Sequence, residues 1–282
     1  MGMANVLITG CSSGIGRETA RHLAGRGWTV YATARKVDAI DDLAGNGCQV
    51  LPLDVTDDAS MVAAVEVVKQ DHGAVDALVN NAGYGEYGPV EEVPIDAARR
   101  QFETNVFGLA RMTQLVLPGM RRQRRGRIVN LGSMGGRFTF PGGGWYHASK
   151  YAVESLSDAL RFEVRPFGIS VVLIEPGTIR TRFAETAVGE REAPAPLDDG
   201  PYASFNAAMA GTVHGAYEGP LGRFAVGPDA VAKAIEKALT VDRPRARYPV
   251  TMGARAMLGA RKVLPDRAFD ALLRTQFESP KP

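Results

Sequence analysis

Apolar and polar positions along the 282-residue chain change period repeatedly, and each change marks an element. Val6, Leu7, Ile8 and Thr9 form an apolar run of strand length, followed by a glycine-rich stretch from Gly10 to Gly16. A helical period over 17–25 is stopped by Gly25 and Gly27. Residues 28–33 predict a second strand, 37–44 a short helix and 49–53 a third strand. Over 57–70 Met61, Val65 and Val68 share one helix face, and 75–80 reads as a fourth strand. A long helix over 95–120 carries Phe102, Val106, Leu109 and Val116 as its apolar stripe. After Pro141 and three glycines, Val153, Leu156 and Leu160 mark another helix. Strands at 128–131, 169–174 and 247–251 and helices at 228–239 and 254–277, the last interrupted at Pro265, complete the series. Strands alternating with helices imply βαβ units with right-handed crossovers. The fold class is α/β: a doubly wound, mostly parallel sheet of seven strands with helices on both faces, in one domain spanning 1–282.

Two stretches carry candidate chemistry. Gly10-Cys11-Ser12-Ser13-Gly14-Ile15-Gly16 joins the first strand to the first helix. Glycines there let the backbone approach a pyrophosphate, and the helix N-terminus offers N–H groups and positive dipole to the anion. The spacing is G-x-x-x-G-x-G rather than the commoner G-x-G-x-x-G, and glycine turns also occur without a ligand. Tyr146 and Lys150 are four residues apart and share a face if the segment is helical. A tyrosine hydroxyl titrates near pH 10 and is a poor base at neutrality. An ammonium one turn away favours the phenolate, so the pair is a general acid/base candidate. Taken alone, Tyr-x-x-x-Lys also fits an amphipathic helix with two incidental polar residues.

The second strand bears on which dinucleotide would fit. An acid at its end would read a ribose 2′-hydroxyl. This strand ends Thr33-Ala34-Arg35-Lys36, with two bases instead. The planar fork of Arg35 suits a 2′-phosphate and Lys36 adds charge, which predicts NADP. NAD is the alternative, with both bases solvated and Asp38 reading the ribose.

Composition narrows the classes. With 45% hydrophobic and 23% charged residues and a net charge of +2, no polyanionic partner is implied. Arg121, Arg122, Arg124, Arg125 and Arg127 fall at a helix C-terminus, where cations complement the dipole, and lack the interleaved aromatics of a nucleic-acid surface. Cys11 and Cys48 stand in no metal or disulfide pattern and read as small buried side chains in a reducing compartment. His22, His72, His147 and His214 are scattered, and no metal site is expected. No apolar run approaches the roughly 18 residues of a membrane span, and residues 1–5 lack a signal-peptide pattern, so a cytoplasmic protein is expected.

The glycine turn, Asn80-Asn81-Ala82-Gly83 after the fourth strand, and Tyr146-x-x-x-Lys150 occur in an order and spacing that resemble the short-chain dehydrogenases/reductases, over about 4–182 and the helix near 228–240. The resemblance implies a Rossmann-type fold and NAD(P)-linked interconversion of a carbonyl and an alcohol. It implies that Gly10, Ser12, Ser13, Gly14, Ile15 and Gly16 line the cofactor phosphates and ribose. It implies that Asp54, with Val55, meets the adenine, unless Asp54 only caps a helix. Asn81, Ala82 and Gly83 would pack along the adenosine ribose, with Asn80 a sheet-stabilising hydrogen bonder. Asn105 matches an asparagine that bends its helix and holds a water linking the lysine to solvent; a satisfied core asparagine is the alternative. Ser133, thirteen residues before Tyr146 and at the carboxyl end of the fifth strand, matches the residue that holds the substrate oxygen, though a turn serine would look the same. Pro176, Gly177, Ile179 and Thr181 match the nicotinamide carboxamide site. Catalysis is then expected of Asn105, Ser133, Tyr146 and Lys150, with Lys150 also on the cofactor ribose.

Residues 183–226 lose the alternation, and a long segment after the sixth strand is where this fold places a substrate lid. Residues 190–201 read as a loop and 202–217 as a helix. Phe183, Phe205, Met209, Tyr217 and Phe224 suit either a lipophilic substrate or lid packing. A C-terminal helical extension over 252–282 would cover the core or make an oligomer contact, with a membrane-surface role as an outside alternative. The end of the second strand, the lid and the tail are loosely similar to the hydroxysteroid and retinol dehydrogenase branch. The resemblance further implies a homodimer or homotetramer built on the helices holding Asn105 and Tyr146. A carbonyl reductase or alcohol dehydrogenase for a lipophilic small molecule is the first expectation. A non-catalytic NADP-binding regulator and a ketoacyl-thioester reductase are the alternatives.

Overall fold

A computed structural model describes residues 4–181, 200–209 and 225–275. Seven parallel strands form one sheet: β1 (Asn5–Ile8), β2 (Thr29–Ala34), β3 (Gln49–Pro52), β4 (Ala77–Asn80), β5 (Gly126–Leu131), β6 (Ile169–Glu175) and β7 (Arg247–Pro249). Their order is β3-β2-β1-β4-β5-β6-β7. The order reverses between β1 and β4, and at such a switch point an open sheet leaves a crevice beyond the strands' carboxyl ends. Strand alternation sets the layers. Val6 and Ile8 join one core with Leu23 of α1 (Gly14–Ala24) and with Val231 and Ile235 of the helix at Pro228–Thr240. Leu7, between them, joins the opposite core with Met61 of α3 (Asp58–His72), Val116 of α5 (Leu109–Arg122) and Val164 of α6 (Gly144–Val164). Between α1 and α3 lies the one-turn α2 (Asp41–Ala44), preceded by a 3-10 turn at Val37–Ile40, where a single helix is expected.

The helix expected over 95–120 is divided. α4 (Ile95–Phe102) passes through a π turn at Glu103–Gly108 into α5. Two contacts account for the widening. The Asn105 side chain grips the Tyr84 backbone, donating to its carbonyl at 2.8 Å and accepting from its N–H at 3.0 Å. Gly108 lies against Val55, whose carbonyl oxygen would be 2.5 Å from a Cβ there. Single π turns concentrate at functional sites. Gly108→Ala is expected to destabilise the fold by about 1–3 kcal/mol, as read by denaturant midpoint, because the backbone of Val55 has no room to yield.

Other boundaries shift for local reasons. α1 starts at Gly14 rather than at 17, so Gly14, Ile15 and Gly16 sit in its first turn. β7 ends at Pro249 because Thr251 caps α8 (Met252–Val263), its hydroxyl accepting from the Ala254 N–H at 3.0 Å. α7 is the helix at Pro228–Thr240, and α9 (Asp266–Arg274) follows Pro265. The arginine run is dispersed into structural contacts: Arg125 pairs with Asp76 at 3.2 Å, and Arg127 donates to the Val241 carbonyl at 2.7 Å. Cys11 and Cys48 are free and buried, and burial pushes the Cys11 thiol up to about 12.

The C-terminal helices cover one end of the fold. Phe269 and Leu273 of α9 pack with Phe138, and Met134 and Phe140 lie against that cluster. Of the expected lid, Tyr202 donates to Glu91 and Asn206 to Glu92, both at 2.8 Å, while Phe205 and Met209 are buried. Phe183, Tyr217 and Phe224 lie outside the described residues. No described helix is long and apolar enough to cross a membrane.

Candidate active site

A cleft of about 1080 Å³ runs along the carboxyl ends of the strands. One end is walled by Gly10, Ser12, Ser13, Gly14 and Ile15, with Arg35, Asp54 and Val55 beside them. Asn81, Ala82 and Gly83 line its middle. Ser133, Tyr146 and Lys150 also line the cleft, as do Pro176, Gly177, Ile179 and Thr181, and a Cβ on Gly14 would lie 3.3 Å from the Thr181 Cβ.

The glycine turn fits a dinucleotide. Gly10 and Gly14 have φ of 75° and 58°, the left-handed region that glycine adopts without strain. A Cβ at Gly10 would stand 2.8 Å from the Ala82 Cα, so the turn and the end of β4 are in backbone contact. The Thr9 hydroxyl accepts from the N–H groups of Asn81 and Ala82, each at 3.0 Å. Asn81 Nδ2 returns bonds of 2.9 Å to the carbonyls of Thr9 and Gly10, so that side chain braces the turn. Two residues expected at the cofactor do not line the cleft. Gly16 does not reach the cleft; a Cβ there would collide with the Gly10 carbonyl and Asn81 Nδ2, so it serves close packing. Lys36 is exposed and outside the cleft wall, which Arg35 alone of the two bases lines. Asp54 Oδ1 accepts from the Thr56 N–H and hydroxyl at 2.9 and 2.8 Å, while the cap of α3 is Asp57. Asp54 therefore lines the cleft without capping the helix.

Helix α6 presents Tyr146 and Lys150 from successive turns. Both are buried, 8% and 7% exposed, and Lys150 Nζ lies 5.9 Å from the Tyr146 ring centre. Lys150 donates to the Leu131 carbonyl at 2.8 Å. Burial lowers its pKa from 10.5 to about 8, against the opposing pull of Glu154. Glu154 is itself pushed up to about 7 by burial and by Glu175, with Arg247 2.9 Å from it working the other way. Asn105 is buried and does not line the cleft. Its Nδ2 also donates to Ser149 Oγ at 3.0 Å, and Ser149 donates to the Tyr146 carbonyl at 2.7 Å. Gly83 separates Asn105 from Lys150: a Cβ there would lie 2.9 Å from Asn105 Oδ1 and 3.8 Å from Nζ. Asn80 is a sheet bonder, donating to Asn130 at 2.9 Å and to Thr113 at 3.2 Å.

Ser133 Oγ accepts from the Gly135 N–H at 3.0 Å, and His147 Nδ1 lies 2.8 Å from the Gly135 carbonyl. Tyr87 and Phe140 form an aromatic wall that the sequence pattern does not reveal, because both sit in loops. Tyr87 stacks on Phe140 at 6.5 Å and tilts over Tyr146 at 5.4 Å. Phe205 and Met209 do not line the cleft; Met209 packs on Gly142 instead.

The sequence pattern of the short chain dehydrogenases matches residues 4–192, and the chain belongs to that family of oxidoreductases. The uncharacterised oxidoreductase YbbO of Escherichia coli K12 is 38% identical over 271 residues, covering 96% of this chain and 94% of its own. Human 17-beta-hydroxysteroid dehydrogenase type 1 is 42% identical over 199 residues, 66% of this chain and 60% of that one. The crystal structure of a short-chain dehydrogenase from Streptomyces avermitilis matches with a TM-score of 0.80 at 34% identity, covering 98% of this chain and 96% of the other.

Proposed function

We propose that the protein is an NADP(H)-dependent oxidoreductase interconverting a carbonyl and a primary or secondary alcohol on a lipophilic small molecule. The observation that carries this reading is that Ser133, Tyr146 and Lys150 line one cleft together with the glycine turn. A bound nicotinamide supplies or accepts the hydride. Tyr146 Oη gives its proton to the substrate oxygen in reduction and takes it back in oxidation. The Lys150 ammonium favours the phenolate, and its donation to Leu131 fixes its place. Ser133 Oγ already accepts from Gly135, which leaves its hydroxyl proton for the substrate oxygen. Asn105 holds the π turn and the Tyr84 backbone beside Lys150, on the side from which protons are replenished. The Tyr87 and Phe140 wall suits a lipophilic substrate, in keeping with the hydroxysteroid dehydrogenase among the relatives. The segment at 200–209, latched to Glu91 and Glu92, is the described part of the substrate lid.

NADP is preferred because Arg35 lines the cleft at the end of β2. Arg35→Ala is expected to raise the KM for NADPH roughly 10- to 100-fold, the worth of a charge-assisted hydrogen bond, with little change for NADH. Equal use of NADH and NADPH by the unaltered enzyme would remove the basis for this preference. We assign the homodimer or homotetramer contact to the exposed apolar side chains Phe107, Tyr151, Leu156 and Phe162, and sedimentation velocity reads the assembly. The two free buried cysteines accord with a reducing, cytoplasmic setting.

The deciding experiment follows NADPH oxidation across lipophilic ketones and aldehydes, with a short ketoacyl thioester included. Turnover of a ketone or aldehyde supports the reading. Turnover of the thioester alone moves the substrate class. Silence across the panel with NADPH bound favours a non-catalytic binder.

A further inference from the structure

His147 follows Tyr146 in the chain, yet its imidazole belongs to another part of the site. It is 1% exposed and sits between the two ends of the loop that carries Ser133, Met134 and Phe140. Its Nδ1 lies 2.8 Å from the Gly135 carbonyl. A carbonyl oxygen only accepts, so Nδ1 carries the proton. Burial holds the imidazole down to about 4, and the ring is therefore neutral at physiological pH. Nε2 is buried without a hydrogen-bond partner among the described residues. At one end of the loop a Cβ on Gly135 would collide with the ring, and at the other a Cβ on Gly143 would stand 2.5 Å from Nε2. The ring of Phe140 meets the imidazole edge-on at 4.2 Å.

We infer that His147 is a positioning residue that, through Gly135, sets the Ser133 hydroxyl against Tyr146. The route is short and continuous. Nδ1–H of His147 holds the Gly135 carbonyl, and the Gly135 N–H is donated to Ser133 Oγ at 3.0 Å. That bond occupies an Oγ lone pair and leaves the serine proton to be donated. His147 and Tyr146 ride on the same turn of α6, so the clamp fixes serine and tyrosine in one frame. Without it the Gly135 carbonyl loses its hydrogen bond to α6, and the peptide whose neighbour orients the serine hydroxyl is less firmly fixed. A shift of about 1 Å in such a group costs on the order of a hundredfold in rate. The inference rests on the catalytic reading of Ser133 and Tyr146 given above.

The amides of Asn and Gln separate the two ring nitrogens, since Asn places its NH2 at the Nδ1 position and Gln at the Nε2 position. His147→Leu and His147→Gln are expected to lower kcat roughly 10- to 100-fold, with NADPH binding and the thermal midpoint near those of the parent. His147→Asn is expected to recover most of the loss. In a Ser133→Ala background His147→Leu should cost less than about twofold more, because two residues acting as one unit are not additive. Asn and Gln impaired alike, the full loss repeated in the Ser133→Ala background, or no loss in any variant would overturn the inference. A parent enzyme indifferent to Ser133→Ala would instead overturn the catalytic reading beneath it, which keeps the two failures apart.

Discussion

Tyr146→Phe is expected to lower kcat by roughly 10²- to 10⁴-fold, the usual worth of a positioned general acid, while NADPH still binds. The substitution removes one oxygen and leaves the ring. That ring is held by Tyr87 at 5.4 Å and by His147 at 5.4 Å, so the pocket keeps its shape. The backbone is held separately, by Ser149 on the Tyr146 carbonyl. The glycine turn and Arg35 also line the cleft and are untouched. The loss should therefore appear in turnover and be nearly absent from cofactor affinity. Steady-state rates on any accepted ketone, paired with NADPH fluorescence titration, check both halves. Normal turnover by the phenylalanine variant would remove Tyr146 from the chemistry.

The sheet is readable in the sequence because fully buried parallel strands are continuous apolar runs. Val6-Leu7-Ile8 and Leu78-Val79 announce themselves, and Gly10 to Gly16 marks the point between strand and helix where a ligand enters. The site residues at fixed offsets, Ser133, Tyr146 and Lys150, are readable for the same reason: the elements holding them are regular. The π turn is not, since the stripe of Phe102, Val106 and Leu109 continues through it. What widens the helix there is a long-range grip of Asn105 on Tyr84, which no local period encodes. Gly16 and Lys36 show a second limit. A motif places a residue near a ligand, but tertiary packing decides which way it faces. Gly16 packs against Asn81, and Lys36 is exposed and is not among the residues lining the cleft, as Arg35 is. The His147 clamp is hidden likewise, because its partner is a loop carbonyl twelve residues away.

Lys150→Met is expected to cut turnover by roughly 10²- to 10³-fold, as loss of a preorganised charge does, and also to change how stability responds to pH. The ammonium is buried, and its folded pKa of about 8 lies below the ordinary value of 10.5. Below pH 8 both folded and unfolded chains carry the proton, and the folded chain holds it at a disadvantage of about 3 kcal/mol. Between 8 and 10.5 the unfolded chain binds more protons than the folded one, so stability rises with pH across that window. Above it the disadvantage is gone. The methionine variant lacks this rise. Its level at neutral pH is set by two opposed changes, relief of the buried charge and loss of the donor to Leu131, the latter worth about 1–3 kcal/mol. The discriminating quantity is therefore the slope. Urea midpoints of the cofactor-free proteins between pH 7 and 10 should diverge, the parent gaining on the variant as pH climbs. Parallel curves would mean that burial does not depress the Lys150 pKa, and the ammonium would then stay charged through pH 10. Divergent curves would mean that the fold tolerates a destabilising charge at the one place where the proposed chemistry requires it.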